Sequence, residues 1–298
     1  MVTAPERRAA PSTVRIWLVG ARLKTLPVTV APIAVGLGIA HSLGPLSSPR
    51  TALTLVFAMG FVLGTNFFND YSDGVRGADD DRVGPVRLVA SGQASPRQVF
   101  RMGAALYAVA ALAGVALAVT VSWWLLALTV ACALGGWFYT GGSRPYGYWA
   151  LGDISIFLFH GVVAVCATAF IQLGRVPLLA LGAAVPIGLL AGALLMTNNL
   201  RDLPTDAPAG KITLAVRLGD RQTRQIFVSR ICCAFAAGQL LAFARPWALL
   251  VLGAVPFALV PVRRVLAGAR GSDLIPVLEH TCLLLLAFGG LLAAGMAL

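Results

Sequence analysis

In this chain of 298 residues, 58% belong to the apolar set and only 12% are charged, with a mean hydropathy of +0.83. A soluble domain carries about twice that share of charge, which excludes an ordinary soluble enzyme, a disordered chain and a disulfide scaffold. The formal net charge of +11 would suit a nucleic-acid partner, but the placement of the basic residues gives it another meaning.

A membrane-spanning helix needs about 20 mostly apolar residues to cross about 30 Å of hydrocarbon. Divided at its Gly, Pro and charge clusters, the sequence predicts nine spans, over 25–43, 51–70, 98–119, 122–140, 153–173, 177–200, 225–243, 246–264 and 276–297. Residues 1–20 read as a basic cytosolic segment with no leader-type cleavage site, and 21–298 as one transmembrane domain. With the N-terminus inside, 20 of the 23 Lys and Arg lie on the cytosolic side, leaving Arg50, Arg175 and Arg245 outside. This is the positive-inside asymmetry. It predicts a multi-pass protein of the cell inner or plasma membrane, N-terminus cytoplasmic and C-terminus outside, solvated by lipid and with no nucleic-acid partner. Cys132, Cys166, Cys232, Cys233 and Cys282 all fall in apolar runs without C-x-x-C spacing, so neither a disulfide frame nor a zinc site is expected. His41, His160 and His280 are scattered.

The acidic residues are more informative. Of 12 Asp and Glu, five lie in 70–81 and three in 202–220, each group at the inner end of a span. Ionisable groups are expensive in hydrocarbon and usually face a wet cavity. In the first cluster, Asn66, Asn69, Asp70 and Asp73 recur at helical spacing and share one face. Asp79, Asp80 and Asp81 follow Gly74 and Gly77 and read as a loop. Carboxylate and amide oxygens on one face suit Mg²⁺, which binds through one or two carboxylates together with substrate phosphate. In the second cluster, Asp202 and Asp206 are four apart, with Pro204 threatening the last helical turn. Lys211 and a basic run then follow, as a diphosphate with its metal ions requires. Asn66 to Asn198 and Asp70 to Asp202 are both 132 residues apart. This offset suggests a pseudo-repeat of four plus four helices with a ninth added.

These motifs, N-x-x-N-D-Y-x-D-G from Asn66 and N-N-x-R-D-x-x-x-D-x-x-x-G-K from Asn198, resemble the UbiA superfamily of intramembrane prenyltransferases. Arg22-x-Lys24-Thr25-Leu26-Pro27, Gly84-Pro85-x-Arg87 and the run from Tyr139 to Tyr148 extend the match, which lies closest to the branch acting on 1,4-dihydroxy-2-naphthoate. The resemblance implies an all-α integral membrane fold of nine transmembrane helices around a central cavity capped by cytosolic loops. It implies transfer of a polyprenyl group from polyprenyl diphosphate to an aromatic acid with loss of CO₂, dependent on Mg²⁺, for which Mn²⁺ substitutes. By the same resemblance Asp70, Asp73, Asp202 and Asp206 would hold metal, with Asn66, Asn69 and Asn198 beside them. Lys24, Arg144 and Lys211 would meet the diphosphate or the acid, and the Tyr139 ring would face a developing carbocation. Arg22 and then Lys24 are the first choices for the acceptor carboxylate. Pro204, Ala207, Pro208 and Ile212 depart from the polar or charged residues common in relatives. Two alternatives are a prenyltransferase for a 4-hydroxybenzoate-type or homogentisate-type acceptor and a cation-coupled transporter. Acids gathered at one mouth beside Lys and Arg argue against the transporter.

Overall fold

The computed structural model describes residues 13–79 and 83–298, so most of the basic N-terminal segment, together with Asp80 and Asp81, lies outside the described residues. The described chain folds into helices α1 (Thr13–Ala21), α2 (Pro27–His41), α3 (Ser48–Val75), α4 (Pro96–Thr120) and α5 (Trp124–Thr140). They continue with α6 (Gly152–Leu173), α7 (Leu178–Asp206), α8 (Leu214–Phe243), α9 (Pro246–Leu266) and α10 (Gly271–Ala297). Helices are what apolar runs must form in lipid, where the backbone has no water to bond. Starts are marked locally. Pro27 opens α2, and Ser95 with Gln98 forms a capping box at the head of α4.

Among the described residues, seven helices are long and apolar enough to cross a membrane. The pair α1–α2, bent by 51°, passes the same test as an eighth, and α5 is a shorter apolar helix. The expected nine spans therefore correspond to seven or eight by length and composition. The break of this pair falls between Thr25 and Pro27, and within its first half Arg22 has a left-handed backbone (φ 53°). Part of the segment read as cytosolic is thus helical, and its Trp17 ring packs on Phe67 of α3 with centroids 5.9 Å apart.

Lipid gives helices little hydrophobic reason to associate, so small residues and close backbone contacts do the packing. A Cβ on Gly38 of α2 would stand 2.3 Å from the Ala293 carbonyl oxygen of α10. α6 widens into π-type turns over Phe157–Val163, and there a Cβ on Gly161 would stand 2.6 Å from the Gly188 Cα of α7. Arg230 of α8 donates to Asp153 at 2.5 Å and to the Gly192 carbonyl at 2.8 Å, tying α8 to α6 and α7.

Two helices run beyond their predicted inner ends. α3 continues to Val75 and α7 to Asp206, so both acidic motifs stand largely on helix. Pro204 does not break α7. It falls in the final turn, where the Thr205 hydroxyl donates to the Asp202 carbonyl at 3.0 Å.

Candidate active site

The bundle encloses a cavity of about 660 Å³. α6 lines it from Gly152 to Ile171, roughly 28 Å of helix at 1.5 Å per residue. Phe57, Leu117, Leu125 and Ile171 make one end apolar, while Asn66, Asn69, Asp73, Asn198, Asp202 and Lys211 line the other.

The polar end is assembled from three sequence regions. From α3, Asn69 Oδ1 accepts from the Thr140 hydroxyl at 2.6 Å, and Asp73 Oδ1 from the Tyr148 hydroxyl at 2.8 Å. Asn66 Nδ2 donates to the Ala21 carbonyl at 3.1 Å, holding α1 against α3. From α7 come Asn198, Asp202 and Asp206. The third region is the 207–213 loop. Its Gly210 is left-handed (φ 71°), and the Ile212 N–H donates to the Tyr148 carbonyl at 3.0 Å. This docking sets the Lys211 ammonium 3.6 Å from Asp73 Oδ2, 3.7 Å from Asp206 Oδ1 and 5.5 Å from the Tyr148 ring centre. One cation thereby stands between carboxylates from two helices.

Tyr148 was part of a recognised motif but had no assigned role. Burial first, and the Asp73 charge second, push its hydroxyl well above the usual tyrosine range, so it remains a donor to Asp73. Arg76, also unassigned from sequence, donates to the Thr140 and Gly142 carbonyls and joins the ends of α3 and α5. Asp79, read as a loosely held loop residue, is buried and pairs with Arg87 at 3.2 Å. Arg201 binds Asp202 through both carboxylate oxygens.

The remaining predicted residues are spread around this centre. Asp70 is buried, and its oxygens are taken up by the Leu88 and Val89 N–H groups at 2.8 and 3.0 Å; like Asp206 it stands outside the cavity lining, but Asp206 reaches the site through Lys211. The 132-residue offset therefore pairs Asp202 with a carboxylate in a different setting. Tyr139 lines the cavity with its ring centre 5.5 Å from that of Tyr146. Arg22 and Lys24 lie on the lining near the mouth. Lys24 is largely exposed and pairs with Glu279 of α10 at 2.6 Å. Arg144 is exposed in the loop after α5, outside the lining.

The donor set is chemically suited to a hard divalent ion: carboxylate and amide oxygens from two helices, around a point where a positive charge already stands. Among the described residues no three acidic, His or Cys side chains form a ready metal cluster. An ion here would therefore share its shell with substrate oxygens, the usual habit of Mg²⁺.

An all-helical membrane bundle with a long apolar cavity and an acidic, amide-rich mouth is the architecture of an intramembrane enzyme for an amphipathic anion. The sequence matches the UbiA prenyltransferase family over residues 29–281, and the chain belongs to that family. It is 45% identical to the 1,4-dihydroxy-2-naphthoate octaprenyltransferase of Mycobacterium tuberculosis, over 94% of this chain and 96% of that protein. The protein of the same name from Escherichia coli is 34% identical, over 91% of each chain. In fold, the chain is similar to a UbiA homolog from Archaeoglobus fulgidus bound to GPP and Mg²⁺, with a TM-score of 0.65 and 18% identity, covering 92% of this chain and 98% of that one.

Proposed function

We propose that this protein transfers a polyprenyl group from polyprenyl diphosphate to 1,4-dihydroxy-2-naphthoate within the membrane, releasing diphosphate and CO₂. The observation that carries this reading is the meeting of Asp73 and Asp206 across Lys211 at the polar mouth of an apolar cavity. The acceptor assignment is supported by relatives of that name along nearly the whole chain.

Asp73, Asp202 and Asp206, with Asn69 and Asn198, would hold the divalent ion and the diphosphate. A bound ion of this kind neutralises the phosphate oxygens and lowers the barrier to ionisation. Lys211 remains beside Asp73 and stabilises charge as the allylic C–O bond breaks and its electron pair leaves with the diphosphate. The apolar wall excludes water that would quench the cation, and the rings of Tyr139 and Tyr146 face it. Electrons of the acceptor ring form the new C–C bond. The bond to the carboxylate then breaks, its electron pair restoring aromaticity as CO₂ departs. Arg22 binds the acceptor carboxylate at the mouth, while Lys24, tied to Glu279, guards the rim. Asp70 positions the 87–90 loop and does not itself ligate.

In this reading residues 21–298 act as one catalytic domain of nine spans in the cell membrane, with the mouth and the N-terminus cytoplasmic, the orientation that the distribution of basic residues supports. The test is purified protein in bilayer discs with labelled farnesyl diphosphate. Prenylated naphthoate and CO₂ should appear with Mg²⁺ and vanish with EDTA. Efficient prenylation of 4-hydroxybenzoate with naphthoate untouched would overturn the acceptor. Cysteines introduced at positions 47 and 209 should label from opposite faces.

A further inference from the structure

Arg201 lines the cavity with a side chain only 1% exposed, and its Nε and Nη2 donate to the two oxygens of Asp202 at 2.7 and 2.8 Å. Neighbouring residues on a helix point about 100° apart and do not ordinarily face each other. To form this fork, the guanidinium must fold back around its own helix. It does so because a buried charge without a partner is costly and Asp202 is the acceptor at hand. The other mouth acids hold cations as well: Lys211 stands by Asp73 and Asp206, and Arg87 by Asp79. The acids intended for metal are neutralised in advance by side chains.

We propose that Arg201 is an exchangeable counter-ion. It is a partner of Asp202 before substrate binds, and it turns to the diphosphate once Asp202 is taken into metal coordination. This rests on the prenyl-transfer reading and adds a residue and a coupling between its two ligands to it. The planar fork that fits a carboxylate also fits a phosphate, whose charge is greater. Gly84 lies directly against the guanidinium, where a Cβ would stand 3.3 Å from Arg201 Cζ and 3.4 Å from Nε. The consequence is coupling. Metal alone must compete with Arg201 for Asp202, whereas metal with diphosphate leaves Arg201 a better partner, so each ligand strengthens the other equally.

The experiment titrates the full-length protein in bilayer discs with Mn²⁺, followed by electron paramagnetic resonance, and with inorganic diphosphate, separately and together. In the native protein, diphosphate should tighten Mn²⁺ binding about tenfold. Arg201→Gln should bind Mn²⁺ alone about fivefold more tightly and lose most of that coupling, while its affinity for diphosphate at saturating Mn²⁺ falls about tenfold. If Arg201→Gln does not fold, Arg201→Lys, which keeps charge without the fork, should show the same changes in smaller measure. Mn²⁺ binding alone that is no tighter in the folded Arg201 variant, or coupling to diphosphate that is undiminished in it, would overturn the exchange. Native protein that binds neither Mn²⁺ nor diphosphate would instead overturn the prenyl-transfer reading itself.

Discussion

Asp70 and Asp73 stand three residues apart on α3, yet replacing each with Asn should have opposite consequences. Asp70 accepts two backbone N–H groups, from Leu88 at 2.8 Å and Val89 at 3.0 Å. In Asp70→Asn one oxygen remains as an acceptor, while the new amide NH₂ confronts an N–H donor. One charge-assisted bond is lost and a buried donor is left unpaired, which together should destabilise the fold by about 2–3 kcal/mol. Turnover per folded molecule should change by less than about fivefold, a shift of under 1 kcal/mol in the barrier. Asp73→Asn removes the charge facing Lys211 and Tyr148, with a smaller effect on folding and a loss of about 10²-fold or more in kcat, as for removal of one preorganised electrostatic group. Thermal unfolding in detergent, paired with prenyl transfer normalised to folded protein, separates the two. A hundredfold loss of activity in a stable Asp70→Asn, with Asp73→Asn still active, would refute the assignment of these carboxylates.

Three further outcomes are expected. Because burial and Asp73 raise the Tyr148 hydroxyl above its ordinary 10.0, the folded state holds that proton more tightly than the unfolded state; stability should therefore fall as pH rises above about 10, and Tyr148→Phe should flatten that decline in a pH series of melting temperatures. Arg230→Ala leaves the buried Asp153 without its 2.5 Å partner and should destabilise by about 3–5 kcal/mol, whereas the double change with Asp153→Ala should recover much of this; equal losses in single and double variants would contradict it. Ala167→Phe intrudes on the cavity wall and should reduce kcat/KM for long prenyl donors by about tenfold, with geranyl diphosphate little affected; a uniform loss across donor lengths would show that the chain lies elsewhere.

Much of this protein is determined by its sequence alone. Twenty-residue apolar runs can only satisfy their backbone in lipid as helices, so the helical bundle follows from composition and length. Acids too costly for hydrocarbon mark the mouth, and the clusters at Asp73, Asp202 and Asp206 were legible for that reason, as was the basic asymmetry. What periodicity could not decide is which edge of a polar stripe meets the cavity. Asp70 and Asp73 lie only about 60° apart around α3, and packing of the 87–90 loop claims one while the cavity receives the other. Nor could spacing bring Lys211 to Asp73. That approach depends on Gly210 and on a hydrogen bond from Ile212 to the Tyr148 carbonyl, a contact between loops distant in sequence. Arg201 and Tyr148 stood inside recognised motifs, but their partners follow from where helices cross and loops dock. The local pattern of a membrane helix determines that a polar face exists; only the packing of its neighbours determines what that face meets.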